Sequence, residues 1–466
     1  MIVCWGRRLL LGRVTIAFLV SLWSAAPLAA QCFVENPGGS SANVFRPSDA
    51  SVPPARFSPL AEANRALPEW LCITAGYRAR AEGYNAGNFQ VGNSASYLLT
   101  RFRFGVLIKP WAGVKLFAEL QDATVFWKKP PLAPPYQCTW DLRRAFVDLG
   151  DLERSPVAFR VGRQDLSFGY GRLVGTSYWR NASRGYDAAM LVARWRWLRV
   201  NVFAASPVIA LDNGLSHHMQ GNNLHGVYSG LRDVIPHSVI EPYVFWRLSP
   251  NIKTEQGVVS KLNEKVVGVR WAGTASRFDY DTELAGETGS IGTDVIRAWA
   301  WSGILGYTFE SSRLRPRLFA KYDFASGDRN PADGRHGTFD QLYPNIHDHH
   351  GLADQVAWQN LKSVRTGARF SVRPNWMLAG MYNEYWLASA TDAFYNSSGG
   401  VVARDPKGLS GSHIGREFDA ETSYRFDRNF ELGLGFGYFR SGGFLTRAHR
   451  AASYRYPYFM LNYNFS

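Results

Sequence analysis

Beyond its first thirty residues the chain has no run of eighteen apolar residues, which excludes a helical membrane protein. Cysteine is scarce, four in 466 residues with no CxxC spacing, so the sequence encodes neither a disulfide scaffold nor a cysteine-based zinc module. No Gly-x-Ser-x-Gly elbow, phosphate-binding P-loop or His-Glu-x-x-His helix occurs, and the chain does not read as an enzyme. The paired acids Asp279 and Asp281 stand at strand spacing, two rungs of one polar face rather than a glycosidase pair.

The start of the chain has the form of an export signal. Arg7, Arg8 and Arg13 precede an apolar core from Val14 to Leu22, and Leu28-Ala29-Ala30 is a small-residue cleavage site before Gln31. Residues 1–30 are thus expected to be a Sec-type signal peptide. Its removal takes away three arginines and no acid, so the net charge falls from +14 to +11. Residues 31–68, rich in Pro, Ser, Ala and Asn, have no sustained period and read as a flexible periplasmic leader. Cys32, Cys72 and Cys138 survive processing, and a Cys72–Cys138 or Cys32–Cys72 bridge is open to them.

From Trp70 to the end the texture is period two. Leu71, Ile73, Ala75, Tyr77 and Ala79 alternate with Cys72, Thr74, Gly76, Arg78 and Arg80. The same alternation recurs around Arg101 to Ile108, Val114 to Gln121, Phe278 to Leu284, Arg317 to Phe324, Val364 to Phe370 and Glu417 to Tyr424. A sandwich alternates too, but must bury its apolar face in a thin core. A transmembrane barrel turns that face to lipid and keeps charges in a wet lumen. The connections favour the barrel. Tight turns at 110–111, 150–155, 196–197, 273–274, 313–314, 373–375 and 427–428 alternate with longer polar stretches at 85–96, 122–140, 167–186, 206–222, 250–262, 287–293, 327–357, 389–412 and 441–453. Short connections on one side and long ones on the other are how outer-membrane barrels are built. The expectation is an all-β antiparallel transmembrane barrel of about 18 strands over residues 69–466. Trp70, Trp111, Trp195, Trp197, Trp246, Trp271, Trp358 and Trp376 fall near strand ends, where interfacial aromatic girdles sit.

Parity points Arg78, Arg80, Arg101, Arg103, Lys115, Arg144, Arg365 and Arg369 into the lumen, with Arg80, Arg103, Arg144 and Arg365 as the core of an anion-selecting cluster. Guanidinium stays charged and meets carboxylates bidentately. Arg163 shares the parity of lipid-facing Val161, so it lines the lumen only from a strand end or bulge. The opposing reading pairs the arginines across strands with Glu82, Glu119, Asp279, Asp281, Glu283, Glu417 and Asp419. The loop 328–354 carries Asp328, Asp333 and the run His347 to His350. It misses the EF-hand spacing and reads as a folded extracellular or pore-entering loop, with calcium the ion it would take if it took one.

Two blocks carry a family likeness. Asp141 to Leu149, Val161-Gly162-Arg163-Gln164-Asp165 to Gly169, Arg172 to Gly175 and Trp179 to Asp187 form the first; Tyr322 to Asp328, Gly337 to Asp340, Leu342-Tyr343-Pro344 and Trp358 to Leu361 form the second. Together they resemble the alginate-export family. The resemblance implies an 18-stranded outer-membrane barrel that passes an anionic polysaccharide through an arginine-lined constriction. Its partners would be outer-membrane lipid, the polysaccharide and periplasmic export machinery, with no nucleic acid and no resident cofactor. The best-known type of this family carries a long periplasmic plug turn before its last two strands; here that connection is Phe426-Asp427-Arg428-Asn429, too short to plug the pore. The rival readings are a general or substrate-specific porin for small anions, and a structural or adhesive barrel.

Overall fold

Alternating side chains force the backbone into strands whose two faces meet different surroundings. The computed structural model describes residues 53–465 apart from 130, 131, 133–135, 213, 255 and 348. The expected signal peptide and most of the expected leader, Cys32 included, lie outside the described residues. Eighteen strands form the wall. The first six are β1 (Leu71–Tyr84), β2 (Ala95–Trp111), β3 (Val114–Phe126), β4 (Cys138–Leu149), β5 (Val157–Gln164) and β6 (Tyr186–Arg194). Next come β7 (Leu198–Ile209), β8 (Asn223–Arg232), β9 (Ser238–Lys253), β10 (Val259–Ala275), β11 (Phe278–Ile291) and β12 (Asp294–Thr308). The last are β13 (Arg317–Ala325), β14 (Leu361–Arg373), β15 (Trp376–Leu387), β16 (His413–Arg425), β17 (Phe430–Ser441) and β18 (Tyr454–Asn464). Each pairs antiparallel with its neighbour, and β18 pairs with β1 through Gly76↔Asn464 to Glu82↔Tyr458, so the sheet closes without an edge.

The outward face is apolar and uncovered. Phe104, Leu120, Leu191, Val202, Val244, Val267, Leu284, Trp301, Leu318, Phe418, Leu434 and Phe459 are all exposed. Such a continuous apolar belt is stable only against lipid, where each large side chain gains about 1.5–3 kcal/mol over water.

The side with the chain termini carries the short connections: 112–113, 150–156, 195–197, 233–237, 276–277, 309–316, 374–375 and 426–429. The turn at 233–237 is one that periodicity did not reveal. The polar stretch 287–293 is no long loop: β11 runs on to Ile291 and only two residues separate it from β12. Its outer-face residues Thr288 and Ser290 disguise the strand. Trp358 is not a girdle residue either; it is 2% exposed inside the barrel, its indole donating to the Phe324 carbonyl at 3.1 Å. Cys138 is a free, buried thiol, which removes the Cys72–Cys138 pairing.

Two long connections fold inward. The β5–β6 loop (165–185) places Leu166, Phe168, Leu173 and Val174 in one apolar cluster with the inner-wall rings of Phe203, Tyr228, Tyr243 and Phe245. The β13–β14 loop (326–360) adds Phe339, Leu342, Val356 and Trp358 to the same cluster. The loops join by a parallel bridge, Val174↔Tyr343, with Gly175 N donating to Tyr343 O at 2.9 Å and Tyr343 N to Leu173 O at 2.8 Å. Trp179 stacks on His347 at 3.6 Å, and the Arg80 guanidinium lies 3.8 Å from the same ring. Both within 4 Å of one ring centre must take opposite faces, so the wall, the first loop and the second are clamped in one column.

Residues 53–68, the described part of the expected leader, are pinned to the periplasmic rim. α1 (Pro59–Ala66) is fastened by Asn64, whose side chain both donates to and accepts from Ile73 at 2.8 Å. Ahead of it, Arg56 N donates to Asp427 at 3.1 Å, and Asn429 donates to the Phe57 carbonyl at 3.2 Å. Partial burial pushes the Asp427 carboxyl up, but the Arg56, Asn429 and Phe430 amides outweigh it and hold it below the ordinary carboxylate value. A depressed folded value means that the contribution is present at neutral pH and is lost as pH falls below about 4 and through the folded value. We expect Asp427→Asn to lower hydrogen-exchange protection at the Arg56 amide by roughly tenfold at pH 7, the scale of one hydrogen bond to a charged group. In the wild type the same loss should develop only in acid.

Candidate functional site

Inward parity brings charge to the lumen, and the inserted loops decide what each charge meets. On β1 and β2, Arg78, Arg80, Arg101 and Arg103 all face inward. Arg78 donates to the Tyr178 and Arg180 carbonyls at 2.9 and 3.1 Å, Arg80 to the Trp179 carbonyl at 2.6 Å, and Arg101 to the Tyr178 carbonyl at 3.0 Å. Arg103 donates to Ser183 Oγ at 2.6 Å and to Gln121 at 2.9 Å. Four guanidinium groups thus grip one stretch of loop, 178–183, whose carbonyls would otherwise be buried without donors. Arg80 also pairs with Glu82, which accepts from Tyr97 at 2.6 Å.

A bulge in β4 adds a residue that parity hid. The register jumps between Glu119↔Arg144 and Leu120↔Leu142, so Arg143 and Arg144 both turn inward. Arg144 meets Glu119 bidentately at 3.0 and 2.6 Å; Arg143 pairs with Asp165, the loop's first residue. Lys115 sits at the rim, 3.3 Å from Asp151. Arg163 keeps the outward parity of Val161 and closes a bidentate pair with Asp187 on β6 at 2.8 and 3.2 Å, apart from the inward group.

The remaining predicted residues, Arg365 and Arg369, lie across the barrel on β14. The cluster expected from parity is therefore two groups, because β14 is remote from β1–β4 around the wall. Arg365 and Arg369 line an open cleft with Arg172 from the first loop, Arg317 and Lys321 from β13, and Tyr170, Ile304 and Phe319. No acidic side chain is in that lining. The carboxylates lie behind it: Asp279 takes Arg317 at 2.5 Å, Asp323 takes Lys321 at 2.9 Å, and Asp281 and Glu283 take Arg172 at 3.0 and 2.9 Å. Arg317 and Arg369 stand next to the short turns 309–316 and 374–375, so this basic chamber opens in the periplasmic half of the lumen.

The acidic strands are accounted for by the same pairs. On β11, Asp281 and Glu283 share Arg172 with one another, and Asp281 also holds Arg270 of β10, which reaches Glu241 of β9. On β16, Glu417 accepts the Ala353 amide at 2.8 Å and so supports the second inserted loop, while Asp419 accepts the Asn383 amide group of neighbouring β15 at 2.9 Å. Pairing of Glu119, Asp279 and Asp281 with arginines of other strands agrees with the opposing reading of the arginines; Glu82 pairs with Arg80 of its own strand, Asp419 takes Asn383 of the neighbouring strand, and Glu283 and Glu417 serve loops.

The histidine-bearing loop holds no metal set: among the described residues no three His, Cys, Asp or Glu groups converge. Asp328 spends its carboxylate on the Asn330 and Gly337 amides at 2.6 and 2.7 Å. His347 meets Asp354 at 2.9 Å and His350 meets Asp323 at 3.4 Å. Asp348 lies outside the described residues.

The profile of the family described as "Alginate export" matches residues 69–459, the whole barrel apart from its last residues. The chain belongs to the alginate-export family. No curated protein matches it by sequence. Solved structures share the fold. Pseudomonas aeruginosa OpdK, crystallised with vanillate, is 11% identical with a TM-score of 0.57, over 84% of this chain and 98% of its own. Acinetobacter baumannii OccAB1 is 10% identical with a TM-score of 0.57, over 85% and 96%. Pseudomonas aeruginosa OccK11 is 14% identical with a TM-score of 0.52, over 84% and 95%. At such identities they show the fold alone. This member of the alginate-export family is an outer-membrane β-barrel of channel type. Arg143, Arg172, Arg270, Arg317 and Lys321 are lumen residues that parity reasoning left unassigned. Arg172 lies inside the first family block, and Arg317 and Lys321 alternate with the lipid-facing Leu318 and Ala320, so both signals were present in the sequence.

Proposed function

We propose that this barrel passes an anionic polysaccharide of the uronate class, with Arg172, Arg317, Lys321, Arg365 and Arg369 forming the anion-selecting constriction. One observation supports this reading above others: a lumen cleft whose described lining holds five cations and no acid. A cationic patch in a narrow passage with low-dielectric walls raises the local anion concentration. Guanidinium forks suit carboxylates, and several in reach of one another let a polymer be handed on before it is released. The Tyr170 and Phe319 rings offer apolar faces beside those charges. The grip of Arg78, Arg80, Arg101 and Arg103 on loop 178–183 gives them the supporting role of setting the passage's width.

The small-anion porin is the second reading, supported by the two loops that narrow the lumen. Planar-bilayer recordings separate the two. For a polysaccharide channel, uronate oligomers should block the current at concentrations that fall about tenfold as the oligomer lengthens to span several cations. Neutral oligomers of equal length should block weakly. Block by monomeric carboxylates as tight as by oligomers would transfer the case to the porin, and absence of any current to a structural barrel.

A further inference from the structure

Lys261, Lys265 and Arg297 are exposed charges on the lipid-facing side of the wall. On β10 the outer parity runs Trp271, Val269 and Val267, then Lys265, Asn263 and Lys261; on β12 it runs Trp301 and Trp299, then Arg297. The pairs Lys265↔Thr288 and Thr288↔Arg297 set Lys265 and Arg297 in one row, two strand spacings or roughly 10 Å apart. Lys261 stands four residues further along β10, roughly 13 Å beyond Lys265. Among the described residues of these strands no acid answers them. Glu241, Glu264, Asp279, Asp281, Glu283 and Glu287 are all buried toward the lumen, and Asp294 of β12 has the same inward parity.

Their height in the membrane follows from strand length. A tilted strand crosses the hydrocarbon in about 9–11 residues. Counted from the periplasmic ends at Ala275 and Thr308, that length reaches Lys265 on β10 and Arg297 on β12. Both cations thus stand where the headgroups of the outer leaflet begin. The row one rung below them is apolar: Val244↔Val267, Val267↔Gly286 and Gly286↔Trp299. A Cβ at Gly286 would meet nothing within 4 Å, so the outer wall is notched between Val267 and Trp299, directly beneath Thr288. On the other flank Trp246 is the cross-strand partner of Lys265. Its indole donates to Asn263 at 2.8 Å, which holds the exposed ring beside the lysine.

We propose that this face of β9–β12 binds a phosphorylated glycolipid of the outer leaflet. Its headgroup phosphates sit on Lys265, Arg297 and Lys261, one acyl chain lies in the Gly286 notch, and a headgroup sugar rests on Trp246. Charge complementarity carries the choice of lipid. An anionic membrane surface attracts each nearby lysine or arginine by about fivefold in affinity. Guanidinium grips phosphate bidentately, and a lysine stem lies along apolar wall while its ammonium reaches the headgroup. A phospholipid with one phosphate engages one of these cations. Three cations spread over roughly 10 and 13 Å suit a headgroup that carries several phosphates on a sugar frame. The face is outside the wall, so its occupant is independent of what passes through the lumen.

The test uses the full barrel refolded in mild detergent, free of native lipid, with bound lipid read by native mass spectrometry. Three probes are offered: a bisphosphorylated glucosamine-disaccharide lipid, its dephosphorylated form, and phosphatidylglycerol. The bisphosphorylated glycolipid should be retained about tenfold better than either of the others. Lys265→Gln with Arg297→Gln should weaken that retention about thirtyfold, two charges' worth, with the lumen untouched. Gly286→Leu fills the notch and should weaken retention with both cations in place; unchanged retention there overturns the acyl-chain contact. Equal retention of the phosphorylated and dephosphorylated forms overturns the phosphate site, as does full retention by the double variant. Phosphatidylglycerol held as well as the glycolipid overturns the choice of lipid. Should the double variant fail to fold, the three lipids on the wild-type barrel decide alone. The readout needs no current, so it stands whether or not the channel reading does.

Discussion

Arg270→Met is expected to cost the barrel about 3–5 kcal/mol, the range for breaking a buried charge pair from one side. Arg270 is 1% exposed and serves two carboxylates, Glu241 on one neighbouring strand and Asp281 on the other. Methionine keeps most of the volume, so the loss measures charge rather than a cavity. Asp281 retains the Arg172 guanidinium at 3.0 Å, whereas the Tyr228 hydroxyl at 2.8 Å is a neutral partner for Glu241. Adding Glu241→Gln should therefore restore a large part of the lost stability, and adding Asp281→Asn less. Denaturant titration of the refolded barrel reads all three. A change below about 0.5 kcal/mol would mean that water screens this network as it screens surface pairs.

Arg365→Gln with Arg369→Gln should lower the chloride-over-potassium permeability ratio about tenfold. One unit charge about 5 Å from a passing ion contributes roughly 3 kcal/mol at an effective dielectric of 20, and mobile ions reduce this further. Glutamine keeps length and hydrogen bonding while removing charge, so the lumen's width is preserved. Arg172 and Lys321 hold buried acids on the same chamber, and neutralising them would confuse selectivity with folding. Arg369 lies on the same lining, 3.8 Å from Glu421. A reversal potential unmoved in a bilayer of otherwise normal conductance would sink the constriction proposed above.

The arginines divide by what the loops offer them. On β1 and β2 they meet backbone carbonyls and become the frame that holds loop 178–183. On β13 and β14 they meet carboxylates behind them and keep a cationic surface in front. Equal chemistry and equal parity thus end in two roles, and only the path of the β5–β6 loop separates them.

Parity, turn spacing and the two family blocks were enough to establish a closed antiparallel barrel of 18 strands, because strand period and membrane thickness are local constraints that each segment meets alone. The inward direction of Arg78, Arg80, Arg101, Arg103, Lys115, Arg144, Arg365 and Arg369 was legible for the same reason. Three things were not. The bulge at Arg143 shifts parity by one residue, and a bulge is stabilised by its partner strand rather than announced by its own sequence. Trp358 reads as a girdle tryptophan until the loop carrying it folds into the barrel. The split of the arginines between loop frame and basic chamber depends on residues far apart in sequence, 78 with 178 and 172 with 281, meeting inside a closed wall. Alternation decides which face a side chain takes; what waits on that face is set by contacts that form only once the barrel has closed around its loops.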